Sequence, residues 1–320
     1  MRINDVISGL QRIYSERMSL ATGGVASVAW LDFPDYSNVG DSAIWLGQVV
    51  WSSDAGLSSD LVIPERALTD RLLQSVSQRP SLPIITGGGN MGGLYPSHDL
   101  SRRRILRAYA DRAVIQAPQS VHFTSDLDRA LLLRDYNAHS NFIVFVRDLE
   151  SKQSLESLSS VDLVPDAAHM LGMFDVPKAR RRVCYLLRTD HESASSSGKT
   201  SSSELDWLGE ASLPRRVRQV RADLAGSTGM LWPIAGINYL ECAERRLSRG
   251  LKQVSVGEVL ITDRLHAMIL GLQCGRKVVA VDNAVRKLSR YASMWFADLD
   301  EGTLVFAKDR ESASRLADSF

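Results

Sequence analysis

A chain of 320 residues with 44% hydrophobic and 23% charged content has enough apolar mass for two ordinary packed domains, which excludes global disorder. Its formal net charge of +1 excludes binding to nucleic acid by bulk charge, so no nucleic-acid partner is expected. The widely spaced Cys184, Cys242 and Cys274 lack metal-ligand spacing and read as buried reduced thiols, and no apolar run approaches the roughly eighteen residues that span a bilayer.

Ile7, Leu10 and Ile13 recur at helical spacing within residues 1–22 and predict an amphipathic helix. This polar, charged start lacks a signal-peptide pattern, so the expected compartment is the cytoplasm. A buried strand over Val25–Leu31 runs into the loop DFPDYSNVGDSAIW, where Asp41 or Ser42 caps a helix to about Val50. A short strand at Leu61–Ile63 and a helix over Glu65–Ser77 follow. The apolar strand Leu82–Ile85 then empties into Gly87, Gly88, Gly89, Asn90, Met91, Gly92 and Gly93. Missing side chains there let backbone N–H groups approach an anion, although a tight turn would use the same residues. The run has neither a Walker ending nor the spacing of a dinucleotide fingerprint.

Strand Ala113–Ile115 leads to the turn Ala117–Ser120, Phe142–Val146 leads to Arg147 and Asp148, and Val161–Val164 leads to Pro165 and Asp166. Strands alternating with helices predict mainly parallel sheets of a doubly wound α/β fold, because parallel neighbours need a covering crossover. Asn38, Asp41, Asn90, Gln119, Ser120, Arg147 and Asp166 then share one rim at the carboxyl ends of the strands, where such sheets bind ligands.

Pro177 and a run of charge interrupt this rhythm near Phe174–Arg182 and mark a domain boundary. A new strand, Val183–Leu187, ends at Arg188, and the Ser-rich residues 189–206 read as a mobile loop at the mouth of the cleft. Helices are predicted around Tyr239–Gly250, Arg264–Gln273, Arg286–Met294 and Glu311–Ser319, with strands at Val259–Ile261, Lys277–Val281 and Leu304–Phe306. In residues 257–283, GEVLITDRLHAMILGLQCGRKVVAVDN, Asp263 is positioned to cap the helix and to place Arg264 and His266 in its first turn. An arginine there offers bidentate donors to an anion, and a histidine of ordinary pKa, roughly 6.5, can give or take a proton. Each also has a structural reading: Arg264 could pair with Asp263 or another carboxylate, and a lone histidine is more often structural than catalytic. Basic clusters at Arg102–Arg104, at Arg180–Arg182, and at Arg215, Arg216, Arg218 and Arg221 suit solvated faces, an anionic substrate or a membrane surface.

In their order and spacing, NVGDSA, TGGGNMGG, APQS, FVRDLES, VPDAAHM, the LLR strand end and ITDRLHAM with VDN resemble the polysaccharide pyruvyl transferase family over most of the chain. The resemblance implies two facing Rossmann-like domains of the glycosyltransferase-B type. Residues 1–176 would carry the acceptor side with the glycine-rich loop, and residues 177–320 the donor side with the Arg-Leu-His motif. It further implies transfer of pyruvate from phosphoenolpyruvate to a sugar as a ketal, with no cofactor. The implied acceptor is an exopolysaccharide or other surface glycan, carried as a lipid-linked oligosaccharide, with peripheral association at the inner face of the cytoplasmic membrane. The family's catalytic motif falls on Arg264, Leu265 and His266, and its anion-binding arginines on Arg147 and Arg188. Asn38, Asp41, Gly88, Gly89, Asn90, Gln119, Ser120, Asp166, Asn283 and Lys287 complete the expected substrate contacts. One departure is Gly93, where relatives often carry an acidic residue. A nucleotide-sugar glycosyltransferase and a non-catalytic anion- or glycan-binding module on the same architecture remain the alternatives, since fold alone does not fix function.

Overall fold

Short apolar runs, buried on both faces and separated by covering helices, put the first half of the chain into one parallel sheet and the second half into another. The computed structural model describes residues 1–188, 207, 209, 212–282 and 286–320. The Ser-rich segment 189–206 and Asn283 lie outside the described residues.

In chain order the first half holds α1 (Ile3–Thr22), β1 (Ser27–Phe33), α2 (Val39–Asp54), β2 (Ser58–Pro64), α3 (Asp70–Val76), β3 (Leu82–Ile85) and β4 (Gly88–Met91). It continues with α4 (Pro96–Ala108), β5 (Val114–Val121), α5 (Asp126–Asn137), β6 (Phe142–Val146), α6 (Leu149–Ser154) and β7 (Val161–Leu163). The second half holds β8 (Arg181–Leu186), α7 (Ser212–Thr228), α8 (Tyr239–Val254), β9 (Gly257–Thr262), α9 (Leu265–Gln273), β10 (Lys277–Val281), α10 (Lys287–Trp295), β11 (Leu304–Ala307) and α11 (Arg310–Asp318). The first sheet runs β2-β1-β3-β5-β6-β7 with β4 laid on β5, and the second runs β11-β10-β9-β8. All of these pairings are parallel. The architecture is that of two Rossmann-like halves.

The halves share apolar packing. Val6, Ile7 and Leu10 of α1 and Val39, Ala43 and Leu46 of α2 belong to the same buried cluster as Leu260, Met268, Ile269 and Val278 of the second sheet and its helix. Gly250 of α8 lets α2 approach, because a Cβ there would stand 2.2 Å from Val39 Cγ1. Gln273 at the end of α9 adds polar ties, donating from Nε2 to the carbonyls of Ala168 at 3.0 Å and Gly172 at 2.8 Å. Crossing the other way, α7 lays Ala222 and Ala225 into the core of the first half beside Ala67, Leu68 and Leu72.

Several local readings change. Asn38, not Asp41 or Ser42, caps α2, because its side chain accepts from the Gly40 N–H at 2.9 Å. The helix expected over Glu65–Ser77 is broken, a short 3-10 turn at Glu65–Ala67 preceding α3, which Thr69 caps. Ala117–Ser120 is not a turn but the second half of β5, whose pairing with β6 shifts register between Gln116 and Gln119. Part of the glycine run is itself strand β4. Helices α4 to α7 had no expectation from the sequence. Cys184 and Cys274 are buried, and burial pushes their thiols up to about 11 and about 12, but Cys242 is only half-buried. Among the described residues, no helix is long and apolar enough to cross a membrane.

Candidate active site

The loops that leave the carboxyl ends of both sheets meet in a cleft of about 340 Å³. One wall comes from the first half: Tyr36, Asn38, Asp41, Gly89, Asn90, Tyr95, His98 and Arg147. The other comes from the second half: Arg188, Asp263, Arg264, His266 and Lys287, joined by Trp207. Nine of the residues singled out in the sequence thus line one cavity, Gly89 and Asn90 from within β4 and the others from beside a strand's end or a helix's start.

At the seam, one carboxylate serves two partners. Asp166 Oδ2 accepts from Arg147 Nη1 at 2.5 Å and lies 3.2 Å from His266 Nε2, while Oδ1 accepts from the Ala168 N–H at 2.9 Å. Burial alone would raise the Asp166 pKa, but the adjacent His266 and Arg147 charges and hydrogen bonds outweigh it and hold the group well below the usual carboxylate range. Arg147 Nη1 is also 3.4 Å from His266 Nε2. His266 Nε2 thus sits between a carboxylate and a guanidinium, and its donor or acceptor role follows from its tautomer. Arg147 Nε donates to Ser120 Oγ at 2.8 Å, and Ser120 in turn donates to Asp148 at 2.9 Å. Its remaining terminal nitrogen, Nη2, faces Gly89, where a Cβ would stand 3.1 Å away.

His266 rests on the first turn of α2. A Cβ added to Gly40 would lie 2.4 Å from its Nδ1 and 2.6 Å from its Cγ, closer than real Cβ contacts come. From behind, α10 fixes its partners: Trp295 Nε1 donates to the Arg147 carbonyl at 2.8 Å, and the Tyr291 hydroxyl accepts from the Asp166 N–H at 3.0 Å. That hydroxyl also shares a hydrogen bond with His169 Nε2 at 2.7 Å, and burial depresses His169 to about 4. His169 is therefore a neutral structural residue, not a proton donor.

The helix start differs from expectation. Arg264, not Asp263, occupies the N-cap position of α9, with no side-chain cap. Asp263 instead accepts from the Arg188 N–H at 2.8 Å, and burial raises its pKa. The glycine run also behaves differently. The N–H groups of Gly92 and Gly93 are directed to Asp99 at 3.4 and 2.7 Å, so this part of the loop is closed by the protein itself. Buried Arg102 ties the same carboxylate to Gln116 and, with Gln119, to the side chain of Asn90. Arg102 is thus an internal brace and not part of a solvated cluster. At Gly93, φ is 104° and a Cβ would meet Thr124 Oγ1 at 2.5 Å, so an acidic residue has no room there.

Gln119, Ser120 and Asp166 are not in the cleft lining but are hydrogen-bonded to residues that form it, and Gly88 precedes Gly89 on β4. A second histidine was missed. His98 Nδ1–H donates to both oxygens of Asp32, at 2.9 and 3.0 Å, and Asp32 sits at φ 66°, a strained conformation for a non-glycine residue. Burial disfavours the His98 charge, yet the Asp32 carboxylate outweighs it and the His98 pKa is raised. Sixty-six positions separate the two residues, and no spacing rule links them.

Comparison with known proteins adds three findings. EpsO of Bacillus subtilis (strain 168), whose name marks it as a candidate pyruvyl transferase, is 25% identical over 88% of this chain and 88% of its own length. Pyruvyl transferase 1 of Schizosaccharomyces pombe is 28% identical over 85% of this chain and 70% of its own length. The crystal structure of an uncharacterised protein from Klebsiella pneumoniae superposes with a TM-score of 0.63 over 94% of this chain and 99% of that one; at 17% identity this shows a shared fold. The family description for polysaccharide pyruvyl transferases matches residues 38–284, from the cap of α2 to just past β10. On that match, the chain belongs to the polysaccharide pyruvyl transferase family.

Proposed function

We propose that the protein transfers pyruvate from phosphoenolpyruvate to two hydroxyls of one sugar in a surface glycan, forming a cyclic ketal and releasing phosphate. The observation that carries this reading is His266 held against the Asp166–Arg147 pair in the cleft that Arg188, Arg264 and Lys287 also line. Phosphoenolpyruvate brings a phosphate and a carboxylate, and planar guanidinium groups bind both through paired charge-assisted hydrogen bonds. In the reaction the methylene carbon takes a proton, a sugar hydroxyl attacks the central carbon, phosphate leaves, and a second hydroxyl closes the ring. Two hydroxyl protons are lost; the balance of one proton leaves with phosphate. His266 supplies the proton to carbon and recovers one from a hydroxyl, with Asp166 orienting its ring. Asn38 and Asp41, on the wall of the first half, face the acceptor. The acceptor is carried on a lipid at the cytoplasmic membrane face.

The test is incubation with phosphoenolpyruvate and a panel of glycosides, following phosphate release and the pyruvate mass gain. His266→Gln should retain phosphoenolpyruvate binding and lose turnover by roughly a hundred- to ten-thousand-fold. Turnover of a nucleotide sugar in place of phosphoenolpyruvate would make the protein a glycosyltransferase. Binding without turnover of any acceptor would make it a binding module.

A further inference from the structure

Helix α7 has its apolar faces reversed. The small residues Ala222, Ala225 and Gly226 pack inward, Gly226 so closely that a Cβ would stand 2.9 Å from Thr69 Cγ2. The large ones point out: Leu213, Val217, Val220 and Leu224 are 72, 51, 66 and 40% exposed. Their 4-3-4 spacing puts them on one stripe along the helix. Just beyond its end, Met230 and Trp232 are 55 and 62% exposed. Six of the sixteen exposed large hydrophobics among the described residues therefore fall within residues 213–232. Such a concentration marks an interaction surface.

The charge around the stripe selects the partner. Arg216 is exposed beside it, and Arg71 reaches the end of the helix, donating to the Ser227 carbonyl at 3.0 Å. The acidic side chain on this helix, Asp223, is already paired with Arg66 at 2.7 Å. A second copy packed face to face would bring these arginines against their own mates. An anionic bilayer would neutralise them while accepting the aliphatic stripe, with tryptophan at the depth of the headgroups where it is favoured. We propose that the outward face of α7, together with Met230 and Trp232, docks the protein on an anionic lipid surface. The helix is tied by Arg218 to Asp35 at 2.9 Å, three residues before Asn38. Docking thus brings the lipid plane to the half of the molecule that carries Asn38 and Asp41. This inference concerns a surface and is independent of the reaction.

Flotation with vesicles of phosphatidylcholine alone, and with about a third phosphatidylglycerol, tests it without any substrate. The protein should float with the anionic vesicles only, and Val217→Ser/Val220→Ser/Leu224→Ser should reduce the bound fraction about tenfold at an unchanged melting temperature. Should that variant melt early, Arg216→Glu alone provides the same reading. Absence of binding to anionic vesicles, or binding that neither variant weakens, overturns the proposal. So does a solution dimer that the triple variant dissolves, which would assign the stripe to a second copy.

Discussion

The two walls of the cleft are built in different ways. On the wall of the first half, polar side chains hold one another: Asn38 donates to Asp41 at 2.8 Å, Gln119 and Arg102 hold Asn90, and Ser120 and Asp166 hold Arg147. On the wall of the second half, Arg188, Arg264 and Lys287 line the space, and the buried carboxylate beside them, Asp263, has its pKa raised. The first wall is polar and braced by bonds among its own side chains, and the second concentrates positive charge. Fixed donors favour placement of a neutral sugar, and concentrated charge favours capture of a phosphate.

The largest effect should come from breaking the rigid wall at its centre. Asp166→Ala leaves Arg147 buried without its carboxylate and should lower unfolding free energy by about 3–5 kcal/mol while abolishing turnover. A chemical denaturation curve within 1 kcal/mol of the parent, by contrast, would show that the wall does not depend on this ion pair.

Adding one carbon comes next. Gly40→Ala pushes a methyl into the His266 ring, costing about 1–3 kcal/mol of stability and, through a displaced imidazole, on the order of a hundredfold in kcat. Donor affinity should stay unchanged. An unaltered kcat in a folded variant would mean that the ring position is immaterial.

On the cationic wall, Arg188→Ala should weaken phosphoenolpyruvate binding by the worth of a charge-assisted hydrogen bond, about 1.5–3 kcal/mol, with little change in melting temperature. Calorimetric titration reads it. A loss confined to stability would reverse the contrast between the walls.

The smallest effects are linked to pH. His169 has a depressed folded pKa, so its contribution is present above the unfolded value, near 6.5, and is lost as pH falls towards about 4. His169→Gln should flatten that acid decline in thermal melts. His98 has the opposite sign: its pKa is raised, so the contribution is present below about 6.5 and is lost as pH rises through the elevated folded value. Asp32→Asn should therefore destabilise the protein at pH 6 more than at pH 9, and an equal loss at both would refute the linkage.

The alternation of strands and helices and the strand-end residues were legible because burial on both faces writes apolar runs directly into sequence. Arg147, His266 and the family motif could be placed for that reason. The Arg102 brace could not, since its partners Asp99, Gln116 and Asn90 come together only when α4 folds over β4 and β5. Nor could the cap at Asn38, because Asn38, Asp41 and Ser42 are all good caps and only geometry chooses among them. The helix α7 escaped notice because its inward face is alanine and glycine, which inverts the usual apolar signal.

The bolts that α10 drives into the opposite half bear on how substrates enter. Trp295 on the Arg147 carbonyl and Tyr291 on the Asp166 amide cross the seam from α10, and the His266 ring of α9 meets Gly40 beside them. Swinging the halves apart like a clamshell would break these contacts together and part His266 from Asp166 and Arg147. With the cleft clamped in this way substrates should enter from its open side without hinge motion, and the radius of gyration in solution should be the same with and without phosphoenolpyruvate. A cleft clamped in this way keeps its side chains in register whether empty or filled and discriminates by what can reach them.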